Sequence, residues 1–141
     1  MFGGRGANAF VAYVGIAEKL KQRLLQHLVR RDSSVVTGVT AVGLRPEFVA
    51  EVRWWSVPDF VDRAVLEAAE LVAFEVLDPA MRSRGNVGAQ AAKFHADPTI
   101  KERMRSILQA SPSGVLKILS LQDALERIAE LEKRVSQLER E

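Results

Sequence analysis

Residues 10–28, FVAYVGIAEKLKQRLLQHL, decide the fold because they join a short apolar stretch directly to an amphipathic pattern. Aromatic and β-branched side chains dominate residues 10–16, which predicts a buried strand that Gly15 brings to its end. Residues 17–31 carry leucines at every fourth position, namely Leu20, Leu24 and Leu28. This spacing predicts a helix with one apolar stripe, packed next to the strand that precedes it.

A second strand and three further helices follow in the pattern, the middle helix running from about Gly88 to Phe94. Residues 51–57, EVRWWSV, read as a strand. Asp59 after a proline is the predicted N-cap of a helix that runs to about Leu77. Asp97 before another proline predicts a second capped helix, ending near Ala110. The predicted fold class is therefore α/β, a small antiparallel sheet flanked by helices, with a helical tail.

Composition narrows the possible functions of the chain. Its 141 residues are 48% apolar and 27% charged, which is typical of a folded domain rather than of a disordered chain. No apolar run approaches the roughly 20 residues needed to cross a bilayer, so no membrane role is expected. The absence of cysteine excludes disulfides, cysteine–zinc sites and thiol catalysis. With no apolar leader segment visible, we expect a cytoplasmic protein.

Charge is unevenly distributed along the chain. Residues 1–119 carry 16 basic and 12 acidic side chains, whereas residues 120–141 carry 4 and 6. The mildly basic body is compatible with a polyanionic partner. We predict three units: a domain at 1–95, a helix and linker at 96–114, and a coiled-coil helix at 115–141.

The tail has the clearest local pattern in the sequence. Its apolar residues alternate at spacings of three and four: Leu121, Ala124, Ile128, Leu131, Val135 and Leu138. With Leu121 at heptad position a, β-branched residues occupy the later a positions and leucine the later d positions, which favours a parallel two-stranded coil. The prediction is a homodimer. The alternative is an amphipathic helix that folds back on its own body.

Three side chains on the first strand and helix are expected to approach one region. Tyr13 ends the strand, while Arg23 and His27 lie one turn apart on the helix that follows. The planar guanidinium of arginine binds phosphate through two parallel hydrogen bonds. Each of the three residues, taken alone, also fits a structural role in the core or on a solvated helix face.

The second helix adds a carboxylate in an apolar setting. Glu70 has apolar helical neighbours on its own face, and a separate valine-rich stripe lies opposite. A partly buried carboxylate requires a cation, a metal or a hydrogen-bond donor. Glu67, one turn earlier, competes for this role, and a structural ion pair of Glu70 with Arg63 or Arg23 is equally compatible with helix geometry.

The segment Tyr13-Val14-Gly15, followed by Arg23, resembles the second half of the GIY-YIG nuclease signature. The run from Glu70 to Pro79 is similar to that family's helix with a metal-binding glutamate, and the resemblance covers about residues 2–85. It implies that Tyr13 takes a proton from the attacking water and that Arg23 stabilises the phosphate. It further implies that His27 assists the nucleophile or leaving group and that Glu70 is the single ligand of one divalent ion, Mg²⁺ or Mn²⁺.

The function implied by this resemblance is metal-dependent DNA endonuclease activity, the hydrolysis of phosphodiester bonds. Sequence-independent backbone contacts to DNA are then expected from Lys19, Lys21, Arg30, Arg31, Arg82 and Arg84.

Two departures from the signature bear on activity. Phe2 stands where the family's first tyrosine is expected, the preceding Gly-Ile would fall upstream of Met1, and Arg82 replaces a common asparagine. These departures favour an alternative, a non-catalytic dimeric nucleic-acid-binding module derived from the same fold. A third reading assigns the coil a role in protein interaction alone.

Overall fold

A computed structural model of the chain describes residues 1–3, 9–30, 45–82 and 86–140. Within these ranges, four short strands form one antiparallel sheet in the order β2-β1-β3-β4. The strands are β1 (Phe2–Gly3), β2 (Phe10–Val11), β3 (Val49–Trp54) and β4 (Gly114–Lys117). The predicted class, a mixed α/β fold with a small antiparallel sheet, is confirmed.

Five α-helices accompany the sheet in the described part of the chain. They are α1 (Leu20–Leu24), α2 (Arg63–Leu77), α3 (Ala89–Ala96), α4 (Pro98–Gln109) and α5 (Leu121–Leu138). The first continues as a wider π-helical turn over Leu25–Arg30, and 3₁₀ turns at Pro46–Phe48 and Pro58–Val61 precede β3 and α2. None of the helices in the described ranges is both long enough and apolar enough to span a membrane.

The predicted strand at residues 10–16 is shorter than expected but its position is right. Regular pairing covers only Phe10–Val11, and the chain continues extended to Tyr13, which forms an isolated parallel bridge with Met81. The backbone N–H groups of Ala80 and Met81 donate to the carbonyls of residues 11 and 12 at 2.8 and 3.0 Å. The segment that follows α2 therefore runs beside the segment that ends in Tyr13.

A sharp turn after α2 makes this return possible. Asp78 ends the helix with φ 40° and ψ 61°, a left-handed conformation that aspartate tolerates better than most residues. Pro79 follows and is buried. Proline cannot continue a helix, so the pair ends α2 as the sequence predicted near Leu77.

The core has two parts that meet around α2 and the sheet. The first joins α2 to α4 through small and flexible side chains: Ala68, Ala69, Val72, Ala73, Met104 and Leu108. The second centres on Tyr13, Val49 and Val52, with Leu24 and Leu28 of the first helical segment packed against it. Because Val14 also packs on the first cluster, the segment around Tyr13 links the two parts.

The predicted N-cap of α2 was wrong by three residues. Asp62, not Asp59, caps the helix, and its side chain accepts hydrogen bonds from Ala64 N and Val65 N at 2.7 and 3.2 Å. The residues between form the 3₁₀ turn that starts at Pro58. The helix, with its unsatisfied N–H groups, therefore begins after this turn. Asp59 instead forms an ion pair with Arg103 on α4 at 2.7 Å.

The sequence did not reveal β4. Residues 111–114 read as a linker, yet Gly114 opens a strand that pairs with β3 from Trp54↔Gly114 to Glu51↔Lys117. A Cβ at residue 114 would lie 2.0 Å from the Trp54 indole, so glycine is required for this close approach. The strand comes from distant sequence, and the proposed division into three units stays a prediction.

The tail is helical, as predicted, and its first turn is fixed. Ser120 and Asp123 form a capping box, and both are buried. α5 contacts the 3₁₀ turn at Pro46–Phe48, and the buried residues at its start are Ser120 and Asp123. Beyond that point the apolar stripe is exposed, with Ile128 at 51% and Leu138 at 71%, so it does not fold back onto the described body.

The Asp97 cap offers a direct test of the assignment of helix α4. Asp97 accepts from Thr99 N at 2.8 Å and Ile100 N at 3.1 Å. We expect Asp97→Ala to lower the free energy of unfolding by about 1 kcal/mol, because two N–H groups of α4 lose their acceptor. Urea denaturation measures this change, and Asp97→Asn is the control that retains a capping oxygen. An alanine variant as stable as the asparagine variant would contradict the assignment.

Candidate functional site

The structure brings together the four residues that the sequence singled out as catalytic. Tyr13 and His27 are buried, and their rings meet edge to face with centroids 5.3 Å apart and an interplanar angle of 63°. The Arg23 guanidinium lies within hydrogen-bonding reach of the Tyr13 phenol, and the Glu70 carboxylate is close enough to act on its pKa. Three side chains, two from the first helical segment and one from α2, thus lie around the Tyr13 phenol.

Gly15 explains why tyrosine and glycine occur two residues apart. The Tyr13 side chain lies over Gly15, so that a Cβ there would be 2.3 Å from the phenol oxygen. Any larger residue would push the ring out of its place. Because Gly15 itself is exposed, the buried ring has its hydroxyl end beside a surface residue.

The Tyr13 phenol is protonated at neutral pH in the free chain. Burial is the largest cause that raises its pKa above the usual 10, and the negative charge of Glu70 adds to the rise. The hydrogen bond and charge of Arg23 lower the pKa but do not outweigh burial. The lowered tyrosine pKa that a general base needs is therefore not a property of these residues alone.

His27 is neutral at the same pH. Burial lowers its pKa from 6.5 to about 4, and the positive charge of Arg23 acts in the same direction. The residue lies in the π-helical turn that follows α1. A neutral imidazole at this position can accept a proton, as proton-transfer roles require.

The two candidate carboxylates on α2 have different surroundings. Glu67 accepts from Arg63 Nε at 2.8 Å and from Gly88 N at 3.3 Å, and these bonds lower its pKa. It therefore ties α2 to the start of α3. Glu70 is half-buried, and its negative charge raises the pKa of Tyr13. Arg63 forms ion pairs with Glu67 and, at 3.8 Å, with Glu18.

The residues present fit a divalent ion that is completed by substrate. In the described ranges, no group of three or more histidine, aspartate or glutamate side chains could form a closed metal cage. Mg²⁺ is commonly held by one or two carboxylates and keeps its waters or takes phosphate oxygens. A single half-buried carboxylate at Glu70 is compatible with an ion held in this way.

The predicted DNA-contacting residues divide into three groups. Lys19, Lys21 and Arg30 are exposed around the first helical segment. Arg82 is exposed and paired with Asp78, an ion pair between solvated groups that contributes little and exchanges readily. Arg31 and Arg84 lie outside the described residues.

The structure shows the surroundings of Phe2, the residue at the expected position of the first tyrosine. On β1 it lies between Val11 and Glu51, and the Arg53 guanidinium stacks on its ring at 4.3 Å from the centroid. Arg53 was not identified from the sequence. Its contact with Phe2 depends on the pairing of strands that are 50 residues apart, for which the local pattern gives no signal.

No protein-family model matches the chain, and neither a curated protein nor a solved structure shows significant similarity to it.

Titration of Tyr13 tests the electrostatics of the site. It is the single tyrosine of the chain, so phenolate absorbance near 295 nm reports on it alone. We expect an apparent pKa above 10, because burial disfavours the phenolate. Arg23→Gln should raise this pKa further and Glu70→Gln should lower it, while the exposed control Lys21→Gln leaves it unchanged. A wild-type pKa at or below 10 would contradict the geometry.

His27 predicts a loss of stability in mild acid. His27 has its ordinary pKa of 6.5 in the unfolded chain, whereas in the folded chain its pKa is about 4. The stability that the neutral imidazole contributes is therefore complete above pH 6.5 and is lost as the pH falls from 6.5 towards 4. Chemical denaturation at pH 7 and pH 5 should show a smaller difference for His27→Gln than for His95→Gln, the matched control. Equal differences would contradict the buried state of His27.

Proposed function

We propose that the chain is a divalent-metal-dependent DNA endonuclease of GIY-YIG type that hydrolyses phosphodiester bonds. The observation that carries the proposal is the convergence of Arg23, His27 and Glu70 on the buried phenol of Tyr13. These residues lie far apart in the sequence, and each has the chemistry that the resemblance implies for it. A purely structural set of residues would not require this combination of phenol, guanidinium, imidazole and carboxylate.

Each side chain has a role that its surroundings support. Arg23 binds a non-bridging phosphate oxygen and stabilises the charge that develops on it. The Tyr13 phenol first gives its own proton to the neutral His27 imidazole, whose ring meets it edge to face, and the resulting phenolate then takes the proton of the attacking water. Mg²⁺ or Mn²⁺ at Glu70 would supply Lewis acidity to the phosphate and the leaving oxygen, and would offset the negative charge that raises the Tyr13 pKa.

The basic side chains around the first helical segment are proposed to bind the DNA backbone. Lys19, Lys21 and Arg30 are exposed there, and Arg82 exchanges its partner Asp78 for a phosphate. Arg31 and Arg84, which lie outside the described residues, are also proposed to contact phosphate. Contacts of this kind are sequence-independent and weaken steeply with added salt. We further propose that the protein works in the cytoplasm and in two copies joined by a parallel coiled coil of its tails.

The alternative is a non-catalytic dimeric nucleic-acid-binding module derived from the same fold. The observation that favours it is Phe2, which lacks a hydroxyl and is covered by Arg53. A raised Tyr13 pKa points the same way, since a protonated phenol is a poor base. This module would keep salt-sensitive DNA binding and would not cleave.

Cleavage of supercoiled plasmid with Mg²⁺ or Mn²⁺ separates the two functions. We expect wild-type chain to cleave in a metal-dependent way and Glu70→Gln to lose at least about a hundredfold in rate, because the ligand of the ion is gone. Glu67→Gln is the matched control, since Glu67 lies one turn away and binds Arg63 and Gly88.

The pattern of results identifies the function. Full activity in Glu70→Gln would remove the metal-site assignment. Salt-sensitive DNA binding without cleavage by the wild-type chain would replace the endonuclease with the binding module. Equal losses in the Glu70 and Glu67 variants would indicate that α2, rather than a metal ligand, had been disturbed.

A further inference from the structure

The tail leaves an apolar surface that no described part of the body covers. We define the α5 stripe as the apolar seam of the helix: Leu121, Ala124, Ile128, Leu131, Val135 and Leu138. Its five large members are 44–71% exposed. A row of large apolar side chains along one helix face is typical of an interaction site.

We infer that a second copy of this chain covers the α5 stripe in parallel and in register, and that the two sites then cut both strands of a DNA duplex in one encounter. The docking of the second copy stands on the tail alone. The cutting step rests on the proposed endonuclease function. The two parts are tested by different measurements.

Charge along the stripe identifies both the occupant and its direction. With Leu121 at position a, Arg127 and Arg134 occupy g positions and Glu132 and Glu139 the following e positions. In a parallel pair each g residue faces the partner's next e residue, so arginine meets glutamate at both places. In an antiparallel pair g faces g and e faces e, so like charges would meet. The stripe is therefore complementary to itself in the parallel direction.

The apolar residues favour a pair over larger assemblies. Ile128 and Val135 are β-branched and occupy a positions, while Leu131 and Leu138 occupy d positions. This combination favours two strands. Leu125, at an e position and 57% exposed, adds apolar surface beside the seam near the start of the helix.

Pairing requires only a small rearrangement of the free helix. Arg127 forms an ion pair with Glu130 of its own helix, and both side chains are more than half exposed. Such solvated pairs contribute little, so Arg127 can turn to the partner's Glu132 at little cost. In the ranges that the structure describes, no other part of the chain lies on the seam beyond the first turn of α5.

The capped start of α5 determines where the folded parts of the two copies lie relative to the coil. Asp123 Oδ2 accepts from Ser120 N at 2.7 Å and from Ser120 Oγ at 2.6 Å, and α5 contacts the Pro46–Phe48 turn. The helix thus leaves the body from a fixed point. A parallel coil must then hold both bodies, and both candidate sites, at its N-terminal end.

Two sites related by a two-fold axis suit duplex DNA. The strands of a duplex are antiparallel, so a two-fold axis relates their phosphodiester backbones as it relates two subunits of a dimer. Each site of the pair can therefore meet one strand in the same orientation. A monomer has to dissociate or turn around to reach the second strand.

Single cysteines test the docking step without relying on activity. The chain has no cysteine, so Leu138→Cys at a d position and Lys133→Cys at an outward f position introduce one thiol each. We expect a dimeric mass by light scattering, and a disulfide-linked dimer at position 138 but not at 133 under mild oxidation. A monomeric, trimeric or tetrameric mass would overturn the proposal. A dimer that fails to cross-link at 138 would overturn the parallel direction.

Plasmid cleavage by a monomerising variant tests the cutting step. Ile128→Lys introduces a charge into the seam and should weaken dimerisation at least about a hundredfold, while Lys133→Glu, on the outward face, is the matched control. We expect wild type and control to convert supercoiled plasmid directly to linear product. Ile128→Lys should accumulate nicked circles at a similar rate of first cuts.

The outcomes separate the inference from the proposed function. Nicked circles that accumulate equally with wild type and Ile128→Lys would overturn paired cutting and leave the endonuclease intact. No cleavage by any variant would overturn the endonuclease together with the cutting step. The mass and cross-linking results decide the docking of the second copy in either case.

Discussion

The geometry of the candidate site depends on the return of the chain after α2. Asp78 adopts a left-handed conformation and buried Pro79 prevents the helix from continuing, so the next residues turn back beside the first strand. The bridge between Tyr13 and Met81 results. It brings α2 and its carboxylate to the phenol, which the first helical segment already approaches from the other side. Without this turn, the four polar residues would not share one location.

Burial and charge oppose each other around that phenol. Tyr13 and His27 are both neutral at pH 7: burial raises the Tyr13 pKa against the effect of Arg23, whereas burial and the Arg23 charge together lower the His27 pKa to about 4. Arg23 and Glu70 act on Tyr13 with opposite signs. Any bound cation that offsets Glu70 therefore shifts the balance towards the phenolate, and any phosphate that occupies Arg23 shifts it back. The protonation state of the site is thus coupled to its ligands, which is the arrangement expected where a proton has to move during binding or reaction.

Local spacing predicted part of this arrangement and could not predict the rest. Tyr13, Arg23 and His27 could be placed together because they lie on one strand and the helix after it, so sequence distance determines spatial distance. The choice between Glu67 and Glu70 needed a tertiary contact, since Gly88 lies 21 residues from the carboxylate it binds. For the same reason β4 and the Arg53–Phe2 contact escaped notice: both depend on pairing between distant strands.

The stability of the tail differs between its two ends. A helix of 18 residues is only marginally stable alone, because the cost of nucleation is spread over few hydrogen bonds. The capping box at Ser120 and Asp123 offsets part of that cost at one end, where the helix contacts the body. Farther along, the apolar stripe lies in water and contributes nothing until it is covered. Covering the stripe would therefore stabilise the distal turns, because a species that binds only the folded helix shifts the folding equilibrium towards it.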